Sequence, residues 1–162
     1  MTDEHIVPIA SRAEFQQAVR DAIARAADER AREIVLVDPT FADWPLNEVA
    51  VIESLSRWID SRCTLTLVAD SFDELARRQF RFVAWRRQWS HVVHGRHDPE
   101  LEAEQIPTLL WVPAIAALRL LDRVRFRGTV SNRPVDLTDC RGIIDALLQR
   151  SVDGFPVTTL GL

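Results

Sequence analysis

The sequence predicts an α/β sandwich with a largely parallel or mixed central sheet flanked by helices. Three observations carry that expectation. The runs EIVLVD (33–38), TLTLVAD (64–70) and TLLWVP (108–113) are almost uninterruptedly apolar, as strands covered on both faces require. Amphipathic helical stretches alternate with the strands, which is the order of a layered α/β chain. Finally, 162 residues with 47% apolar and 27% charged composition suit one domain with a buried core. That domain is expected to span 1–162, with a core at about 8–150 and a packed tail at 151–162.

Taken in order, Ser11-Arg12-Ala13-Glu14 reads as a capping box, in which the serine oxygen accepts from an orphan amide and the glutamate reaches back. Phe15, Val19, Ala22, Ile23 and Ala26 follow at helical spacing, giving a helix to about Arg32. EIVLVD stops at Asp38-Pro39 because proline cannot donate to a ladder. A loop then leads to Asn47, a candidate N-cap for a helix carrying Val49, Ile52, Leu55 and Ile59. TLTLVAD repeats the pattern. Ser71 to Glu74 is a second box, opening a helix to about Trp89 in which Leu75, Phe82 and Trp89 face inward. HVVHGR (91–96) and TLLWVP are further strands, and RVRFRGTV (123–130) alternates as a half-exposed edge strand would. Asp136 or Thr138 caps a last helix bearing Ile143, Ile144, Leu147 and Leu148.

Composition removes several chemistries. All twenty basic residues are arginine, so there is no Schiff-base lysine, no P-loop lysine and no lysine base. Tyrosine is absent too. Five glycines form no G-x-G-x-x-G loop, no serine sits in a G-x-S-x-G elbow, and no cofactor is expected. The net charge of −4 argues against non-specific nucleic-acid binding, which needs a basic face. No apolar run approaches a membrane span and the N-terminus lacks a signal-peptide pattern. Cys63 and Cys140 therefore read as reduced thiols in a cytoplasmic protein, and no membrane association is expected.

The succession of a leading helix, EIVLVDPTF, a helix, CTLTLVAD, a helix, HVVHGR, TLLWVP and a strand ending GTVSN resembles one half of a phospholipase-D-like phosphodiesterase. DPTFADWPL, Ser90-His91 and the ending LGL resemble an uncharacterised bacterial family of such domains, sometimes appended to GNAT-type acetyltransferases. The resemblance implies a single half of the sandwich, forming a homodimer. The superfamily's chemistry needs His-x-Lys-x4-Asp near the strand corresponding to TLLWVP, the histidine acting on phosphorus and the lysine stabilising charge. Ile106, Thr108 and Pro113 stand at those positions here. The following Gly-Ser-x-Asn is echoed only loosely by Gly128 to Asn132. The resemblance thus implies the fold and argues against the reaction.

No catalytic, cofactor or metal residue is assigned, and the candidate polar positions are Asp38, Asp43, Asp70, His91 and Asp98. Asp38 and Asp70 end strands at a carboxyl edge, where open α/β sheets bind ligands, and Asp43 could complete an acidic rim. Capping and loop closure are the commoner roles of such aspartates. His91, His94 and His97 precede Asp98, but alternation on a strand sends His91 and His94 to opposite faces, so no metal site is expected. His91-x-Val93-x4-Asp98 keeps the histidine–aspartate spacing and supplies the alternative of a phosphodiesterase with displaced catalytic residues. ARRQFRFVAWRRQW (76–89) mixes arginine with aromatics as a nucleic-acid reader would, yet its heptad stripe reads as core and its arginines as a solvated face. Trp44 and Trp111 read as sheet plugs or as parts of a protein-binding surface. The expected function is that of a degenerate phospholipase-D-like domain acting through a partner or ligand, with regulation of an acetyltransferase as a further alternative.

Overall fold

The computed structural model describes residues 3–155. Its elements are β1 (Ile6–Ile9), α1 (Arg12–Asp28), β2 (Glu33–Val37), α2 (Val49–Trp58), β3 (Thr64–Val68), α3 (Asp73–Arg78), α4 (Phe80–Gln88), β4 (Val93–His97), β5 (Thr108–Val112), β6 (Ala116–Asp122), β7 (Arg127–Ser131), α5 (Pro134–Arg150) and β8 (Val152–Asp153). A short 3₁₀ turn, Ala103–Gln105, precedes β5. The strands form one mixed sheet in the order β1-β7-β6-β5-β2-β3-β4-β8. Parallel pairing is confined to β2/β3 and β3/β4, and the other neighbours run antiparallel.

Alternation explains why the central strands are apolar throughout. Ile34 and Leu36 of β2 and Leu65 and Leu67 of β3 join the core beneath α1, α2 and α4. Val35, Val37 and Val68 face the other way and pack with Leu109, Trp111 and Ala117 under Cys140, Ile144 and Leu147 of α5. Burial pushes the Cys140 thiol up to about 11, so it stays protonated and behaves as a small core residue. No helix among the described residues is long and apolar enough to cross a membrane.

One half of the first capping box forms. Ser11 Oγ accepts from the Glu14 amide at 3.1 Å, but Glu14 Oε2 accepts from the Ala10 amide at 3.2 Å, one residue before the N-cap. In the described part of the tail, Val152 and Asp153 are exposed, while Phe155 stacks on Phe72 (centroids 4.6 Å apart) and lies over Gly95, where any side chain would collide with it. Arg86 donates to the Phe155 carbonyl and sits over its ring; burial lowers that guanidinium to about 10. Residues 156–162 lie outside the described residues.

Other expectations are corrected. The first helix ends at Asp28 rather than near Arg32. The helix expected to run to Trp89 breaks at Gln79, which leaves helical geometry so that its buried amide can donate to the Phe41 carbonyl at 2.7 Å. Ser71 forms no capping box: its hydroxyl accepts from the Asp73 amide, and Glu74 turns to Arg77 and Arg78. Asn47 does not cap α2, whose N-cap is Glu48; its oxygen accepts instead from the Arg81 amide in the first turn of α4. Neither Asp136 nor Thr138 is the N-cap of α5, which starts at Pro134 behind Arg133. Residues 123–130 are not an edge strand. Arg123–Phe126 form a turn joining β6 to β7, and β1 pairs outside β7 to take the edge.

Candidate functional site

The carboxyl ends of β2 and β3 meet the start of β5 because β2 and β5 are antiparallel neighbours, with Val37 opposite Leu109. Asp38 and Thr108 thereby become partners although they are 70 residues apart. The Thr108 hydroxyl, 1% exposed, donates to Asp38 Oδ1 at 2.5 Å. Asp38 Oδ2 accepts from the amides of Thr40 (3.1 Å) and Phe41 (2.8 Å), closing its own loop. Both carboxylate oxygens are occupied. Phe41 sits at φ 60°, a left-handed conformation disfavoured for a bulky side chain, which the Asp38 turn and the packing against Trp44 hold in place.

Beside this lock is a cavity of about 150 Å³ lined in part by Phe15, Asp38, Thr40, Trp44, Thr108 and Arg123. Its floor is aromatic: the Phe15 and Trp44 rings meet edge to face at 5.4 Å, and Phe126 tilts against Phe15 at 5.8 Å. Phe126 is a second aromatic at positive φ, 54°. Arg123 donates to the carbonyls of Ile106 and Glu104, so much of its guanidinium holds the approach to β5 together. Trp44, 3% exposed, plugs the sheet end and presents no tryptophan surface to a partner. Trp111 lies under α5, its indole N–H donating to the Leu137 carbonyl at 3.1 Å.

Of the remaining candidates, Asp43 lines the same cavity as Asp38, whereas Asp70, His91 and Asp98 do not join it. Asp43 is exposed and pairs with Arg12 at 3.1 Å across solvent. Asp70 is half-buried; its amide donates to the Pro39 carbonyl at 3.0 Å, joining the two loops through backbone rather than through carboxylates. Asp98 is 1% exposed just beyond β4, and its Oδ1 accepts from the Glu100 amide at 2.9 Å. His91 lies before β4, exposed and stacked on Trp89. The five residues of β4, roughly 16 Å of extended chain, separate His91 from Asp98. The displaced histidine–aspartate pair is therefore not assembled. No group of three potential metal ligands comes together among the described residues.

The positions singled out by the resemblance also have defined places. Ile106 is fully buried against the α5 side of the sheet, Thr108 carries the lock, and Pro113 opens the turn at the opposite end of β5. Gly128 to Asn132 do not border the lock. Register sets Thr108 against Leu120 and Leu120 against Gly128, while Ser131 lies opposite Ala117, toward the Trp111 end. Ser131 donates to Asp136 at 2.5 Å, and Asn132 ties the N-terminal segment by accepting from the His5 amide and donating to the Asp3 carbonyl. Arg123, three residues beyond Leu120, is what the strand delivers to the cavity. Nothing in its local sequence marks it out, because residues 123–126 contain no glycine, proline or asparagine.

Together, fold and site define a mixed α/β sandwich whose sheet edge carries an internally bonded carboxylate. Solved structures share this fold. TrmBL2, described as an archaeal chromatin protein with a novel mode of DNA binding, superposes with a TM-score of 0.64 at 11% identity, over 93% of this chain and 54% of that one. NucT from Helicobacter pylori superposes with a TM-score of 0.60 at 9% identity, over 93% of this chain and 99% of that one. This chain thus spans about half of TrmBL2 and nearly all of NucT. No protein-family model and no curated protein matches the sequence.

Proposed function

We propose that the chain is a catalytically degenerate phospholipase-D-like domain that works by binding a partner or ligand. The bond between Thr108 and Asp38 carries this reading. At the position where the resemblance calls for a charge-stabilising lysine, a buried hydroxyl is committed to holding a loop. Ile106 replaces the nucleophile with a buried hydrocarbon, and no lysine exists elsewhere to substitute. A phosphoryl group would meet neither an attacking atom nor a lysine to take up its charge.

A homodimer belongs to the same reading. The apolar side chains of Ile6 and Val7 on edge strand β1, and of Leu121 and Val124 near the β6–β7 turn, are exposed. A second copy covering them would give a mass near 37 kDa, twice 18.5 kDa, in sedimentation. The likeness to TrmBL2 raises DNA as a ligand. Of the five arginines in the α3–α4 segment, Arg77 and Arg78 are engaged by Glu74, Arg81 by the Asn47 carbonyl and Arg86 by Phe155, and Arg87 alone is exposed with no ion pair among the described residues, which does not make a free phosphate-binding stripe. The test is hydrolysis of bis(4-nitrophenyl) phosphate. The protein and its Asp38→Ala variant are expected to match buffer; a rate above background that Asp38→Ala removes would overturn the reading.

A further inference from the structure

At the sheet edge opposite Asp38 and Thr108, a cleft of about 700 Å³ opens where α1 hands over to β2 and α2 to β3. Its charged lining is Arg30, Arg32, Arg57 and Arg62 with Asp28 and Asp60. Four positive and two negative charges leave +2 in a chain whose total is −4, so the remainder carries −6. Asp28 is bonded to Arg57 at 3.1 Å and Asp60 to Arg62 at 3.5 Å. Among the described residues Arg30 and Arg32 make no ion pair.

Arginines beside helix C-termini ordinarily offset the negative end of the helix dipole, and that accounts for Arg57 in the last turn of α2. It also favours a positive charge at Arg30, just past the end of α1, but not the backbone conformation found there. Helix α1 closes with the Arg30 amide on the Ala27 carbonyl (3.3 Å) and the Ala31 amide on the Ala26 carbonyl (2.9 Å), which puts Arg30 at the left-handed position, φ 54°, that favours glycine. An arginine rather than a glycine occupies that position, and its side chain lines the cleft. Cys63 brings no opposing charge: burial raises its thiol above the ordinary value, and it donates to the Trp58 carbonyl at 3.4 Å.

We propose that this cleft binds a small molecule bearing two or three adjacent phosphoryl groups, clamped by Arg30 and Arg32. Guanidinium forks match phosphate oxygens bidentately, and linked phosphoryl groups supply the several negative charges that two uncompensated arginines can share. The volume lies within the range of about 300–1,000 Å³ usual for small-molecule sites, large enough for a body of nucleotide size beyond the phosphates.

The test is calorimetric titration of the full chain with sodium tripolyphosphate in about 0.15 M salt, where general surface attraction is screened. Saturable one-to-one binding is expected for the protein. Arg30→Gly is expected to bind about tenfold more weakly or worse while melting about 2–4 °C higher, because glycine relieves the strained position. Loss of binding with a raised Tm cannot come from unfolding. Arg32→Gln is expected to weaken binding similarly, and Arg87→Gln, exposed on α4 outside the cleft, to leave it unchanged. No binding by the protein, unchanged binding by Arg30→Gly, or equal weakening by Arg87→Gln would overturn the proposal. So would a single-stranded oligonucleotide that binds through Arg30 and Arg32 about a hundredfold more tightly than tripolyphosphate.

Discussion

Thr108→Val isolates the lock at the sheet edge. Valine keeps the shape of threonine and removes only the hydroxyl that donates to Asp38 Oδ1 at 2.5 Å. Hydrogen bonds to an ionised partner contribute about 1.5–3 kcal/mol, and a site closed to water would sit at the upper end. Thr108 is buried, but Asp38 is only half-buried, so water can partly replace the lost donor. The expected loss is therefore about 1.5 kcal/mol, seen in urea as a lower midpoint at unchanged slope. For a chain of this length it lowers Tm by roughly 3–6 °C. Asp38→Ala removes the two loop-amide contacts as well and should cost more. The double variant should fall short of the sum by about 1 kcal/mol, since the shared bond can be lost only once. A Thr108→Val protein within about 0.5 kcal/mol of the parent, with additive losses in the double variant, would refute the lock.

Three further outcomes follow from particular contacts. Gly128→Ala would drive a Cβ into the Arg119 carbonyl and Leu120 across the β6–β7 pair, and is expected to cost about 3 kcal/mol or more in the same urea experiment. Gly142→Ala meets nothing within 4 Å in the middle of α5, and should stabilise by about 0.5–1 kcal/mol, read as a higher Tm. Glu48 is held below the ordinary carboxyl range chiefly by its hydrogen bond from Arg20, at 2.7 Å. A depressed folded value means stability present above the ordinary glutamate range and lost as pH falls through the folded value. Because both side chains are substantially exposed, Glu48→Gln should cost under about 1 kcal/mol at pH 7, and the difference should vanish in acid.

The parts of the fold visible in the sequence are those where one physical rule acts alone. β2, β3 and β5 announce themselves because burial on both faces demands unbroken apolar runs, and α1 because its cap and stripe agree. Elements with mixed signals were hidden. β1 is four residues long and contains Pro8, tolerated at a sheet edge but a poor strand signal. β6 lies in AIAALRLLD, an apolar run compatible with helix or strand, and the turn after it has no breaker residue. Gln79 and Asn47 follow tertiary partners, Phe41 and Arg81, rather than local helix rules.

The site divides the same way. Asp38 and Asp70 were legible as strand-end aspartates, and Thr108 as the wrong residue for phosphoryl chemistry. That Asp38 and Thr108 bond to each other depends on the antiparallel β2/β5 register, a non-local pairing that neither residue's neighbours encode. The same holds for Arg123, delivered to the cavity by the register of β5 with β6. His91 and Asp98 had suggestive spacing, and the strand between them keeps them apart.

Amide hydrogen exchange at Thr40 and Phe41 tests most directly whether this sheet edge is structural. Both amides donate to Asp38 Oδ2, so the locked carboxylate predicts exchange slowed at least about 100-fold relative to an unstructured chain, with that protection lost in Asp38→Ala. Unprotected exchange at both amides in the parent protein would mean that the Asp38 carboxylate is free, and would contradict the account.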